Sequence, residues 1–218
     1  MTTQNLPGTD AARHGTGDAD LTIMIAAHDA FRRDLTRLAR TASAAHDPAR
    51  RQSVHAGWEL FKRELHLHHT AEDEIIWPAL RPRLAHSPTA LSVLAAMEAE
   101  HELIDPLLAA VDAEFNPSGD RLADVIDALT TSLTGHLGHE ERDGLPLIGV
   151  ALTAAEWRGV GRKMASKNGL SAGSEMFAWI LDGTNHAHSK ATLAQLPPPL
   201  RLLYRTIWKP RFDKTPRW

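Results

Sequence analysis

Thirteen histidines stand in a 218-residue chain that has one tyrosine and no cysteine. Four of them, His28, His68, His101 and His136, fall on apolar stripes of helical period. An imidazole buried without a partner costs roughly 1–3 kcal/mol. Two of these stripes also carry a glutamate one turn on, Glu72 after His68 and Glu140 after His136, on the same helix face. A carboxylate in a helix core costs still more unless it is paired or holds a cation. With no thiolate available, a metal bound by these groups has only nitrogen and oxygen ligands. Such donors with open positions favour iron; manganese and zinc are also compatible.

The motif is doubled. His68-x3-Glu72-Asp73-x4-Pro78-x-Leu80 matches His136-x3-Glu140-Glu141-x4-Pro146-x-Ile148, with histidine-to-proline spacing of ten in both. His28 and His101 lie forty and thirty-five residues upstream of the two motifs. Each half of the repeat therefore offers one histidine and one HxxxE pair. Two such halves supply three ligands to each of two metals, with the glutamates placed to bridge. Thirteen histidines and twelve glutamates give roughly one HxxxE by chance. The third occurrence, His55/Glu59, has no counterpart and is set aside.

Four long helical patterns must position these groups. The first starts after Asp20 and runs to about Ala45, with Met24, Phe31, Leu35 and Leu38 beside His28. The second opens at Asp47-Pro48, an N-cap followed by proline. The third opens near Ser87-Pro88, and its stripe runs Leu94, Met97, His101, Ile104, Leu108, Val111. The fourth starts at Ser118 and carries Leu122, Val125, Leu129 and Leu133 ahead of His136. Short turns between amphipathic helices predict an all-α fold, an antiparallel up-down four-helix bundle with a short-helix C-terminal extension. The expected organisation is a disordered segment over 1–19, the bundle over 20–150, and a helical extension over 151–218 packed on it. A capping box at Thr153-Ala-Ala-Glu156 starts that extension, and Pro197-Pro198-Pro199 precedes its last short helix. Residues 201–218 carry net charge +5 against −8 for the rest, so a dimer contact or an anionic surface is the other reading of the tail.

Composition excludes several classes. Hydrophobic residues at 43% and charged residues at 23% are globular values, not those of a disordered chain. No apolar run of about 18 residues crosses a membrane. The polar N-terminus has no apolar signal core, which points to the cytoplasm. A net charge of −3 gives no general attraction to nucleic acid. The expected assembly is a monomer or homodimer.

The segments His68-His69-Thr-Ala-Glu72-Asp-Glu-Ile-Ile-Trp-Pro78 and His136-Leu-Gly-His-Glu140-Glu-Arg-Asp-Gly-Leu-Pro146 resemble the hemerythrin-like, or HHE cation-binding, family over about residues 20–150. The stretch from Leu196 to Tyr204 is similar to actinobacterial members. The resemblance implies a non-heme di-iron centre with His28, His68, His101 and His136 as nitrogen ligands and Glu72 and Glu140 as bridging carboxylates. Oxygen-carrying members have a further histidine one turn before the third-helix histidine, where this chain has Met97. Their last carboxylate is an aspartate five residues after the fourth-helix histidine; here Glu140 lies at four and Glu141 at five. A site one ligand poorer is thus implied, with a position open to peroxide. The implied activity is hydrogen peroxide decomposition by two iron ions. The alternative is reversible O2 or nitric oxide binding, or iron sensing, without turnover.

The neighbours are read as supporting residues. His69 and His139 are rotated by about 100° from the ligand face, so solvent exposure or contact with a ligand is expected of them, not ligation. Asp73 and Glu141 are placed to orient a ligand imidazole. Trp77 reads as core packing. Glu98-x-x-His101 occurs once, whereas ferritin-like di-iron sites need two such motifs. His14, His46, His86, His186 and His188 read as solvated.

Overall fold

The computed structural model describes residues 19–41, 47–115 and 121–218, and every regular element among them is helical. Helix α1 spans Thr22–Thr41, and the Thr22 amide donates to the Asp20 side chain at 3.0 Å ahead of it. Helix α2 is Pro48–Ala71, continued by a π-helical turn, Glu72–Ile76, and the single turn α3, Trp77–Leu80. Helix α4, Pro88–Glu114, starts at Ser87, whose hydroxyl accepts from the Ala90 amide at 3.3 Å. Helix α5, Leu122–His139, passes through a second π turn, Glu140–Gly144, into α6, Leu145–Ala151. The expected first-helix end near Ala45, the fourth-helix start at Ser118 and the segment 1–18 lie outside the described residues.

The C-terminal third is α7, Ala154–Ile180, α8, His186–Ala194, α9, Pro198–Leu203, a third π turn, Tyr204–Trp208, and α10, Lys209–Phe212. The capping box forms as read: Thr153 accepts from the Glu156 amide, and Glu156 accepts from the Thr153 amide at 2.9 Å. The sequence predicts short helices in this extension. The structure instead has one helical run in α7, broken at Gly169, whose φ of +76° only glycine adopts without strain.

The three π turns share a cause. In each, the residue before a proline donates its amide five residues back, Trp77 to Glu72, Leu145 to Glu140 and Lys209 to Tyr204. A proline inside an α-helix meets the carbonyl four residues earlier. The wider π turn moves that carbonyl aside. Pro106 lies inside α4 without such a turn, so proline alone does not force one.

The buried apolar residues form two clusters. One gathers Phe31, Trp58, Phe61, Leu65, Leu133 and Trp179; the other gathers Leu21, Ile76, Trp77, Leu94, Met97 and Ile148. Along α1 and α4 the chain passes from the second cluster through a histidine to the first. Along α2–α3 and α5–α6 it passes the other way. The four histidines therefore lie in one polar layer between two apolar ones. Residues from the C-terminal third complete both clusters: Trp157, Val160 and Met164 cover the second, and Phe177 to Leu181, Tyr204 and Phe212 enter the first. The Trp218 ring lies on α2 so closely that a Cβ at Gly57 would come within 2.5 Å of it, which explains a glycine in mid-helix.

Glu64, on α2, is buried at 4% exposure, with the Arg63 guanidinium 3.9 Å away. Burial pushes its carboxyl up to about 7, against the pull of Arg63 and with Glu175 adding to the rise. The folded state thus holds this proton more tightly than the unfolded chain. Its contribution falls as pH rises from about 4.5 to about 7 and is flat above. The loss amounts to about 3 kcal/mol. Glu64→Gln is expected to remove this slope and to exceed the wild type in stability at pH 8. Urea unfolding of both proteins across that range checks it; parallel curves would show that Glu64 does not titrate on unfolding.

Candidate metal centre

Each half of the repeat brings its histidines to the polar layer by the same device. In α2, His68 and His69 lie four and three residues before Glu72, so the two rings straddle that carboxylate. In α5, His136 lies four residues before Glu140, and Leu137 takes the other flank. His28 comes from α1 and His101 from α4. Glu72 and Glu140 each open a π turn, the kind of helix irregularity often found at functional sites.

The donor atoms fall into two groups, His28, His68, Glu72, Glu140 and His69, Glu72, His101, His136; within each, they lie within 4.8 Å of one another. Glu72 belongs to both. One of its oxygens is 3.0 Å from His68 Nε2 and the other 3.4 Å from His101 Nε2. His28 Nε2 is 3.1 Å from Glu140 and 3.2 Å from His68 Nε2. Glu72, Glu140 and His28 are wholly buried.

The outward-facing ring nitrogens are held by carboxylates. His28 Nδ1 is 2.9 Å from Glu141, which also accepts from Arg32 at 2.7 Å. His101 Nδ1 is 3.0 Å from both Asp73 oxygens. His136 Nδ1 is 2.8 Å from Glu100, whose other oxygen is 2.6 Å from His139 Nδ1. Each such bond fixes the ring and turns Nε2 inward. Asp73 and Glu141 thus occupy the orienting places read from the sequence. Glu100 was not read so; it precedes a site histidine, and only the approach of α5 gives it a role.

Burial pushes the His68 imidazole well below its usual range, with the neighbouring imidazoles His28, His101 and His136 adding to the fall. Burial also lowers His136, against the pull of Glu140 and Glu100. His28 goes the other way: burial opposes its protonation, but Glu140 and Glu141 outweigh it and raise it to about 9. Burial drives Glu72 well above the carboxylate range, and Glu140 adds to that rise. Burial would raise Glu140 too, but His28 outweighs it and holds Glu140 low.

Whether a cation fits is decided by the unpaired atoms. Ten buried side-chain nitrogen and oxygen atoms among the described residues lack a hydrogen-bond partner. Seven belong here: both oxygens of Glu72 and of Glu140, and Nε2 of His69, His101 and His136; the imidazole nitrogens 3.0–3.4 Å from Glu72 and Glu140 are at ion-pair distance but not aligned for a hydrogen bond. Buried polar groups are otherwise almost always satisfied. Converging imidazole and carboxylate donors left over in this number suit a pair of metal ions.

A profile of the hemerythrin HHE cation-binding domain matches residues 19–148. The chain belongs to that family. Its members are metal-binding modules, typically for iron, and the hemerythrin-type domain here spans all the donors above. No curated protein and no solved structure matches the chain.

Trp77, Glu98 and His139 match their sequence reading, and His69 is more deeply buried than its reading allowed. His69 is not at the surface: it is 7% exposed and stacked on His101, with ring centroids 3.9 Å apart. A core-facing stripe is wider than 100°, so two adjacent residues reach its opposite edges. Its spacing of three from Glu72 was the available signal. His139 is half-buried and bound to Glu100. Glu98 turns outward to Arg81, 2.5 Å away, so the single ExxH spacing contributes nothing to the site. Met97 is fully buried near the site; a Cβ at Gly144 would lie 3.5 Å from its sulfur and 3.2 Å from Glu140 Cγ. Trp77 is fully buried in the second cluster.

Proposed function

We propose that this chain is a non-heme di-iron protein that decomposes hydrogen peroxide. Its scaffold is an antiparallel up-down four-helix bundle of α1, α2, α4 and α5, domain 20–150, with 151–218 as an extension of actinobacterial type. The observation that carries the proposal is Glu72, fully buried, with its two oxygens facing different histidine groups. His28, His68, His101, His136 and Glu140 complete the ligand set. Held by these residues, a pair of iron ions would supply two-electron redox capacity, so that one peroxide is reduced to two waters and a second is oxidised to O2. The protein holds the imidazoles through Glu141, Asp73 and Glu100 and keeps bulk water out of the layer. The same reading has it act in the cytoplasm, as a monomer or homodimer, without nucleic acid.

A cleft of about 280 Å³ leads to His136, lined by Glu100, Leu103, Thr131, Ser132 and Gly135. A carboxylate and two hydroxyls there suit a hydrogen-bonding solute such as peroxide and its product water. Nothing lies within 4 Å of a Cβ placed at Gly135. Gly135→Leu is expected to obstruct the cleft, lowering kcat/KM for peroxide severalfold with iron content unchanged. It should not destabilise α5, because leucine is the better helix former. Unchanged kcat/KM would show that peroxide enters elsewhere.

The central test is metal content and oxygen evolution from protein purified without added metal. About two irons per chain, and one O2 released per two peroxides consumed, are expected. Zinc, or no metal, with no turnover would overturn the proposal. The second reading, a lasting O2 or nitric oxide adduct or iron sensing without turnover, is favoured by the complete burial of His28, Glu72 and Glu140. It predicts a stable adduct spectrum and no O2 release.

A further inference from the structure

We infer that His69 is a fifth imidazole ligand, making the two metal positions chemically unequal. This rests on the di-metal reading above and names a donor that reading does not require. The His69 Nε2 atom is buried and has no hydrogen-bond partner. Its donor atom lies within 4.8 Å of those of Glu72, His101 and His136. Its ring is stacked on His101 at an interplanar angle of 10° and meets His136 edge-on, with centroids 5.4 Å apart.

A histidine kept only for packing would give its inner N–H to an acceptor, since an unsatisfied buried donor costs about 1–3 kcal/mol. His139 shows the satisfied case, with Nδ1 on Glu100. His69 Nε2 has no such acceptor. A neutral imidazole with an unused inward nitrogen is the ligating form.

The inequality is written in the repeat. Leu137 stands in the second motif where His69 stands in the first. One position therefore receives three imidazoles and the shared Glu72. The other receives His28, His68, Glu72 and Glu140. The expected deficit of one ligand at Met97 is made up from α2.

The test loads full-length metal-free protein with 57Fe(II) without oxygen and compares wild type with His69→Gln and His69→Ala. Wild type should hold two irons giving two distinct Mössbauer doublets. Each variant should lose affinity for one iron by at least about tenfold, with one doublet altered and the other kept. Imidazole added to His69→Ala should restore it. A packing role would lower Tm but leave iron count and doublets alone, and that result overturns the inference. Should neither variant fold, the wild type still decides. In its diferrous form, five exchangeable, paramagnetically shifted imidazole N–H proton signals support five ligands, and four overturn it. A wild type holding fewer than two irons defeats the di-iron reading itself, and this inference with it; two irons with unaltered variants defeat only the role of His69.

Discussion

Glu72→Ala is expected to empty both metal positions, taking bound iron from about two per chain to almost none. No other side chain belongs to both donor groups. Removing His28 strips one nitrogen from one position, whereas removing Glu72 takes an oxygen from both positions and the link between them. The loss will not come from unfolding. In the metal-free protein Glu72 is a buried carboxyl whose proton is held well above the usual range, chiefly by burial. Such a group costs free energy. The metal-free alanine variant should therefore melt at or above the temperature of metal-free wild type. Plasma mass spectrometry and a thermal melt on the same sample check both halves. Full iron content would remove Glu72 from the ligand set.

Asp34→Ala is expected to cost about 3–5 kcal/mol while leaving iron content intact in the folded protein. Asp34 is 1% exposed on α1 and accepts from Trp179 Nε1 at 2.7 Å, Arg33 Nε at 2.8 Å and Arg37 at 3.1 Å. Arg33 goes on to the Trp179 and Asp182 carbonyls, and Arg37 to the Asp182 carboxylate at 2.6 Å. This network ties α1 to the end of α7. Without the carboxylate, the indole N–H loses its acceptor, and the Arg33 and Arg37 guanidinium groups each lose one of theirs. Trp179 also packs on Phe31, with centroids 4.8 Å apart, and Phe31 lies beside His68. Asp34→Asn keeps an acceptor and should lose markedly less. Urea unfolding measures both; equal stability of Asp34→Ala and wild type would mean that the network contributes nothing net.

Much of this was legible in the sequence. The apolar stripes, the caps at Ser87 and Thr153 and the doubled HxxxE marked the helices and six of the converging donors, because each depends on local spacing. What depends on the angle between helices was not legible. His69 was assigned by rotation from a single face, but its surroundings come from α4 as well as α2. Glu100 became a clamp only when α5 came alongside. The histidine-to-proline spacing of ten was visible as a mark of repetition. That it encodes a π turn follows from the backbone, where the pre-proline amide reaches back to the glutamate.

The polar layer divides the interior into two separate oily compartments. In mechanical terms it is a fault plane. On its own it holds five imidazoles and two carboxyls crowded together, and the helices that cross it are what joins its two sides. Cations shared across it would act as rivets, so that the compartments come apart together or not at all. Iron supply to the cell would then set how long this protein survives proteolysis, apart from any reaction it performs.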